Sequence, residues 1–212
     1  MEIAILTSPN QWFETYAKKL SNILDCKLFL HHDYLIDFDI VFILSYHKII
    51  PQNILNANKY DIVIHASSLP HGKGWAPLFW QILEGKNEIT FTMFEASNGV
   101  DNGDIYMQKT LKLNGYELHD EIRDKQAKLI IEMCLEFVEN YKQYKNPIPQ
   151  VGKESFYPKR TPKDSKLDIE KSLKEQFNLL RICLNDEYPA FFEIDGHKYI
   201  LKIEEDKRDE NI

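Results

Sequence analysis

Three short apolar runs constrain what this chain can fold into. Residues 2–7 read Glu-Ile-Ala-Ile-Leu-Thr, residues 40–45 Ile-Val-Phe-Ile-Leu-Ser, and residues 61–65 Asp-Ile-Val-Ile-His. A strand with one wet face alternates apolar and polar residues. These runs do not, so they read as strands buried on both faces, the condition of a parallel sheet covered by helices. Helical patterns fall between and after them, which makes the fold α/β. Ser8-Pro9-Asn10 ends the first strand and caps a helix from about Trp12. Residues 27–31 are a second strand, and 77–83 start a helix with proline in its tolerated first turn. Residues 89–96 and 104–110 are two further strands, the second expected to be antiparallel. Between them runs Ser97-Asn98-Gly99-Val100-Asp101-Asn102-Gly103, rich in residues that accept positive φ. Leu118, Ile122, Leu129, Ile130, Met133, Phe137 and Tyr141 keep a helical period.

The texture changes at residues 145–152, where two prolines and a glycine read as a linker. Beyond it, 164–185 has a helical pattern, and 191–194 and 198–203 are strands joined by Asp195-Gly196, a strong hairpin signal. The tail, 204–212, is charged and expected to fray. The division is therefore an α/β domain over 1–145, a linker over 146–165, and a small α+β appendage over 166–212. With 212 residues and 43% hydrophobic content the chain can bury a core, so disorder and disulfide-stapled mini-folds are excluded. The net charge of −7 argues against nucleic acid as the main partner. No run is apolar enough to span a membrane, and the N-terminus reads as a strand and not a basic leader. Cys26, Cys134 and Cys183 are far apart and odd in number, as in a reduced, cytoplasmic protein. His31-His32-Asp33 has no partner spacing for a metal, and none is expected.

In an open parallel sheet, ligands bind at the carboxyl ends of strands. Three polar clusters fall there: Ser45-Tyr46-His47-Lys48-Ile49-Ile50-Pro51, the stretch from His65 to Pro77, and the turn with Asp101. Singly, each has a bland reading. A strand-end histidine commonly bonds a nearby backbone group, the loop after it is a Gly/Pro connection, Trp75 and Trp80 read as packing residues, and Trp12 reads as a helix anchor or as a platform for a nucleotide base. The spacing fits no Gly-x-x-x-x-Gly-Lys phosphate loop.

Together the clusters are far more specific. His65-Ala-Ser-Ser-Leu-Pro-His-Gly-Lys-Gly-Trp-Ala-Pro, followed by Asp101-Asn-Gly-Asp-Ile105, resembles the formyltransferases that use 10-formyltetrahydrofolate, whose signature is His-Pro-Ser-Leu-Leu-Pro, Gly-Ala-x-Pro and Asp-x-Gly-x-Ile. Tyr157-Pro-Lys-Arg160-Thr-Pro-Lys-Asp-Ser165 resembles a segment that follows the family's catalytic domain, and the likeness runs from about residue 38 to 203. The resemblance implies a Rossmann-like domain with a mostly parallel sheet. It makes His65 and Asp101 two members of an Asn-His-Asp catalytic set. Folate is assigned to Ser45, Tyr46, His47, Lys48, Ile49 and Ile50, with Asn98, Gly99 and Val100. The acceptor is assigned to Ser67, His71, Lys73 and Arg160. The family's asparagine lies two residues before the histidine, where this chain has Val63. Ser67, Ser68, Asn102 or a backbone amide would have to replace it.

Within the family the acceptor decides the function. A tRNA acceptor calls for a sizeable basic C-terminal domain, whereas here only 166–212 follow the linker and the whole chain is acidic. The Pro-Lys-Arg-Thr-Pro segment and Tyr188-Pro-Ala-Phe-Phe look more like the sugar N-formyltransferases. The expectation is formyl transfer from 10-formyltetrahydrofolate to a nucleotide-linked amino sugar for surface polysaccharide synthesis, by a homodimer. The alternatives are a formyl-folate hydrolase and a catalytically inactive folate- or nucleotide-sugar-binding protein.

Overall fold

The computed structural model describes residues 1–144 and 146–206. The chain runs β1 (Ile3–Leu6), α1 (Glu14–Leu24), β2 (Lys27–Phe29), β3 (Ile40–Ile43), α2 (Gln52–Leu55), β4 (Asp61–His65), β5 (Lys73–Gly74) and α3 (Pro77–Leu83), then β6 (Glu88–Glu95), β7 (Ile105–Lys112) and α4 (His119–Asn140). It ends with β8 (Phe156–Tyr157), α5 (Phe177–Arg181), β9 (Ala190–Ile194) and β10 (His197–Leu201). Six strands form one sheet in the order β2-β1-β3-β4-β6-β7. Every residue of β1 and β3 is buried, as their unbroken apolar runs predict. β2, β1, β3 and β4 are mutually parallel.

The direction of the last two strands differs from expectation. β6 is antiparallel to β4, and β7 is antiparallel to β6, so β7 runs the same way as β4. Apolar periodicity marks a strand without marking its direction.

The two faces of the sheet are unequal. On one, Ile3, Ile5, Phe42 and Ile62 join Phe13, Ala17 and Leu20 near α1, Leu78 and Ile82 of α3, and Ile122, Met133 and Phe137 of α4 in a large core. On the other, Ala4, Leu6, Val41 and Ile43 form a smaller cluster with Leu35 and Phe38. Alternate residues of each strand thus serve opposite faces. Glu121 Oε2 accepts the Leu118 N–H at 3.1 Å and satisfies a donor at the start of α4.

The segment expected as a linker is fastened to the domain. β8 pairs in parallel with β5, and Ile105 exchanges backbone hydrogen bonds with Ile148. The helix expected over 164–185 shrinks to α5 and a 3₁₀ turn at Pro162–Ser165. Side chains compete with the helix there. Gln176 Nε2 donates to the carbonyls of Asp168, Lys171 and Ser172, and Ser172 Oγ to Glu175. Asp195 and Gly196 both take positive φ, 49° and 81°, and make the predicted β9–β10 turn. The charged tail expected to fray lies, from 207 on, outside the described residues. Among the described residues no helix is long and apolar enough to cross a membrane.

Candidate active site

β4 ends on His65, and its side chain shares a face with Val63, two residues earlier. Val63 packs against the smaller apolar cluster, as do Tyr46, Ile50 and Ala96. The loop after β3 and the segment after β6 therefore sit on one face of the sheet. Glu95 pairs beside Ile62, near the start of β4, yet Asp101 reaches the strand's far end. Residues 96–101 thus turn back along β4.

At that end His65 Nε2–H donates to the Gly72 carbonyl at 2.8 Å, and Asp101 Oδ2 lies 3.7 Å from the same nitrogen. Both side chains are mostly enclosed, at 11% and 15% exposure. Asp101 Oδ2 also accepts the Gly74 N–H at 2.9 Å, which fixes the carboxylate's orientation. Only glycine suits position 74. Its φ is +93°, and a Cβ would lie 2.7 Å from the Tyr157 carbonyl of β8.

The Asp101 turn is held from several sides. Gln150 Nε2 donates to the carbonyls of Asp101 and Gly103, each at 2.8 Å. A Cβ on Gly103 would fall 1.5 Å from the Glu95 carbonyl oxygen, so the chain closes there only with glycine. Lys73 Nζ donates to Asn102 Oδ1 and, at 2.5 Å, to Glu154 Oε1. Its side chain is 1% exposed. Lys73 therefore pins the catalytic-type turn from inside and does not point to solvent. Glu154, 81 positions away, was not singled out from sequence. Only the folded chain shows the pair.

The other candidates distribute as follows. Ser67 is buried, its Oγ has no partner, and its side chain lies against Gly72, so it shares a neighbour with His65. Asn102 has its oxygen committed to Lys73. His71 is exposed on the loop. Ser45 takes a left-handed φ of 54°, Tyr46 OH bonds His32 Nδ1 at 2.8 Å, and the His47 N–H donates to Ser8 Oγ. Lys48, Ile49, Asn98, Gly99 and Val100 are exposed. Burial and the positive charges of Lys159 and Arg123 hold the His47 imidazole below its ordinary range. Arg160 lies away from this group, in a second cleft with Trp12 and Arg123. Trp80 is a packing residue, stacked on Tyr157 and bonded to the Pro158 carbonyl.

A folate fits this surface. Ile49 at 93% and Val100 at 58% exposure leave apolar side chains in water on the two loops. The N–H groups of 97–100 donate to no acceptor among the described residues. Apolar cover with free backbone donors suits a flat heterocycle with a polar edge. Among the described residues no group of three or more His, Cys, Asp or Glu side chains could hold a metal.

Comparison with known proteins decides the family. Residues 32–136 match the formyl transferase family model. The chain belongs to the formyltransferase family. A methionyl-tRNA formyltransferase of Sulfurihydrogenibium is 33% identical over 149 residues, covering 68% of this chain and 47% of the relative. The chain thus spans about half the length of the curated relatives it matches. Among solved structures, methionyl-tRNA formyltransferase from Clostridium thermocellum superposes with TM-score 0.80 at 20% identity, over 96% of this chain and 92% of that one. HypX from Aquifex aeolicus in complex with tetrahydrofolic acid gives 0.76 at 21%, over 96% and 37%. A 4-N formyltransferase from Francisella tularensis gives 0.72 at 19%, over 97% and 98%. These likenesses establish the fold, a Rossmann-like formyltransferase domain with a mostly parallel sheet.

Proposed function

We propose that this formyltransferase moves a formyl group from 10-formyltetrahydrofolate to the amine of a nucleotide-linked amino sugar. The observation that carries the reading is the approach of Asp101 to His65 Nε2, 3.7 Å across 36 positions of sequence. On this reading residues 1–145 carry the chemistry, and 146–165 join them to the small α+β unit. The folate donor is supported by the likeness to a protein solved with tetrahydrofolic acid and by the two open loops. The sugar acceptor is supported by a likeness to a 4-N formyltransferase over nearly the whole of both chains. A net charge of −7 disfavours a polyanionic tRNA.

The donor supplies an electrophilic formyl carbon. His65 Nε2–H is the hydrogen-bond donor placed for the negative charge that develops on the formyl oxygen, once its bond to Gly72 is shared or exchanged. Asp101, held through Oδ2 by Gly74, keeps Oδ1 for a proton released by the attacking amine. That proton ends on the nitrogen the formyl group leaves, so the exchange is balanced. Val63 offers no hydrogen bond to the site.

The test is turnover with tetrahydrofolate release as readout. His65→Gln and Asp101→Asn are expected to lower kcat by about 10²-fold or more, with folate affinity nearly unchanged. Parental turnover in both variants would remove these residues from the chemistry. Formate as the product, with no formamide, would identify the hydrolase. Val63 favours one second reading, a folate- and nucleotide-sugar-binding protein without turnover, which binding of both ligands with no product would establish.

A further inference from the structure

The stretch 148–157, which the sequence marks as linker, crosses both halves of the candidate site. At one end Ile148 pairs with Ile105, and Gln150 holds the carbonyls of Asp101 and Gly103. At the other end Ser155 grips the loop that follows His65. Its Oγ accepts the Gly72 N–H at 2.9 Å, its carbonyl accepts the Lys73 N–H at 2.9 Å, and its own N–H donates to the Pro70 carbonyl at 3.3 Å. The peptide unit between Gly72 and Lys73 is therefore held at its N–H by Ser155. The carbonyl of that same unit accepts His65 Nε2–H at 2.8 Å. A peptide is planar, so its N–H and C=O are not aimed independently. Whatever directs the Lys73 N–H also directs the oxygen that meets His65.

That oxygen matters because a carbonyl only accepts. The contact keeps the His65 proton on Nε2, the nitrogen that Asp101 Oδ2 approaches to 3.7 Å. The loop is poorly placed to supply this geometry alone. Gly72 takes a φ of +72°, and a Cβ there would lie 2.9 Å from the Tyr157 ring and 3.0 Å from Ser67 Cβ. Gly72 and Lys73 are both buried, so an N–H deprived of its acceptor there cannot turn to water. Ser155 itself is exposed, a setting in which a substitution ordinarily changes little.

We propose that Ser155 is a positioning residue for His65: acting through Gly72 and the Gly72–Lys73 peptide, it fixes the ring orientation and the Nε2–H tautomer that formyl transfer uses. It touches no substrate in this role. The effect on turnover rests on the formyl-transfer reading; the hold on the imidazole does not. Two of its bonds use the Ser155 backbone and survive substitution, so the hydroxyl alone is at stake. Without Oγ the Gly72 N–H loses its acceptor, the preceding peptide turns, and the Gly72 carbonyl is carried off the line of His65. The loop loosens locally while the domain stays folded.

Nuclear magnetic resonance of the full chain with nitrogen-15 histidine tests the hold, the His65 signals being assigned by their loss in His65→Gln. The parent is expected to carry its proton on Nε2. In Ser155→Ala that proton should exchange with water several-fold to about tenfold faster. In Ser155→Thr, which keeps the hydroxyl acceptor, exchange should stay near the parental rate. Turnover of 10-formyltetrahydrofolate, read as tetrahydrofolate release with a dTDP-linked 4-amino sugar as acceptor, should follow the same order. We expect kcat to fall about tenfold in Ser155→Ala and to recover in Ser155→Thr, with KM for 10-formyltetrahydrofolate within about twofold. A serine that only stabilises the fold would lower the melting temperature and leave exchange and kcat unchanged, which overturns the proposal. A parent protonated on Nδ1 overturns it, as does a kcat that stays parental or rises while exchange quickens. If Ser155→Ala does not fold, Ser155→Cys, of similar volume and with only a weak acceptor, is read by the same outcomes. Faster exchange rescued by threonine, with no turnover in the parent, defeats the formyl-transfer reading alone. Turnover that is lost in His65→Gln, with exchange unchanged in Ser155→Ala, defeats this inference alone.

Discussion

Lys73 and Glu154 form an asymmetric pair, and the asymmetry predicts an order of stabilities. Lys73 is 1% exposed and Glu154 54%. Removing the lysine, as in Lys73→Met, takes away a charge that is expensive to bury and leaves behind a carboxylate that water can solvate. The methionine fills similar volume, so the net loss should be within about 1.5 kcal/mol. Removing the acid, as in Glu154→Ala, leaves the ammonium enclosed with only Asn102 Oδ1 as its hydrogen-bond acceptor. Stripping one partner from a fully buried pair costs about 3–5 kcal/mol, and the exposure of Glu154 brings that to about 2–3. Urea unfolding followed by far-UV circular dichroism gives both values from the midpoints at constant slope. The double variant Lys73→Met/Glu154→Ala should be no less stable than Glu154→Ala alone, because the stranded charge has gone. If Lys73→Met costs as much as Glu154→Ala, the buried ammonium is not what makes the pair matter, and the reasoning fails.

Asp61 predicts a pH dependence. Burial first, and the nearby Glu95 carboxylate second, push its carboxyl up to about 7, so between pH 4 and 7 the folded chain binds more protons than the unfolded one and stability falls as pH rises. Asp61→Asn should therefore gain on the parent by a few kcal/mol between pH 5 and 8 in thermal melts, and a gap independent of pH would contradict it. Gly103→Ala should destabilise by about 1–3 kcal/mol or more and lower turnover, because the added Cβ must push the Asp101 turn off the Glu95 carbonyl; a variant with parental melting and turnover would refute the closure. Val63→Asn, between Ile43 and Phe94 on neighbouring strands, should lose about 1–3 kcal/mol for an amide without partners. If the missing oxyanion donor limits turnover, the same variant should speed it by up to about 10²–10³. Flat turnover would show that another group already serves.

What was legible in the sequence follows from how local each signal is. The doubly buried strands β1 and β3 announce themselves because every residue in them is apolar at either parity, and β4 because its Ile-Val-Ile centre is. Asp195-Gly196 announces its turn because both positions need positive φ. Strand direction in β6 carries no such mark. The two-residue pairing of β5 with β8 is too short to show a period. Apolar spacing over 164–185 predicts a longer helix than forms, because it says nothing of Gln176, whose side chain takes three carbonyls a helix would have used. At the site, the family resemblance pairs His65 with Asp101, and the two side chains approach to 3.7 Å. Lys73, on a glycine-rich loop, has the sequence setting of a residue meeting substrate, since nothing near it reveals Glu154. Arg123 was not singled out at all, because an arginine on a helix is ordinarily a solvated one. Its stacking between Trp12 and Phe79 exists only once α1, α3 and α4 converge.

The unequal faces of the sheet explain why stability and chemistry are separable here. The large core under α1, α3 and α4 holds most of the buried aromatic and aliphatic side chains, and none of the candidate folate or catalytic residues belongs to it. The smaller cluster on the other face has a rim of Tyr46, Ile50, Val63 and Ala96 that is only partly buried. No helix of the large core closes over this rim, so the loops must be positioned by other means. Glycines that admit close backbone approach and polar clamps such as Lys73, Gln150 and Gly74 N–H supply that positioning. Each clamp is made to a segment distant in sequence, so each constrains Asp101 relative to β4 without adding to the core. Substitutions in these clamps should therefore change turnover at modest cost in stability wherever no charge is left stranded, whereas truncations in the large core should do the reverse, lowering the melting point before they alter kcat.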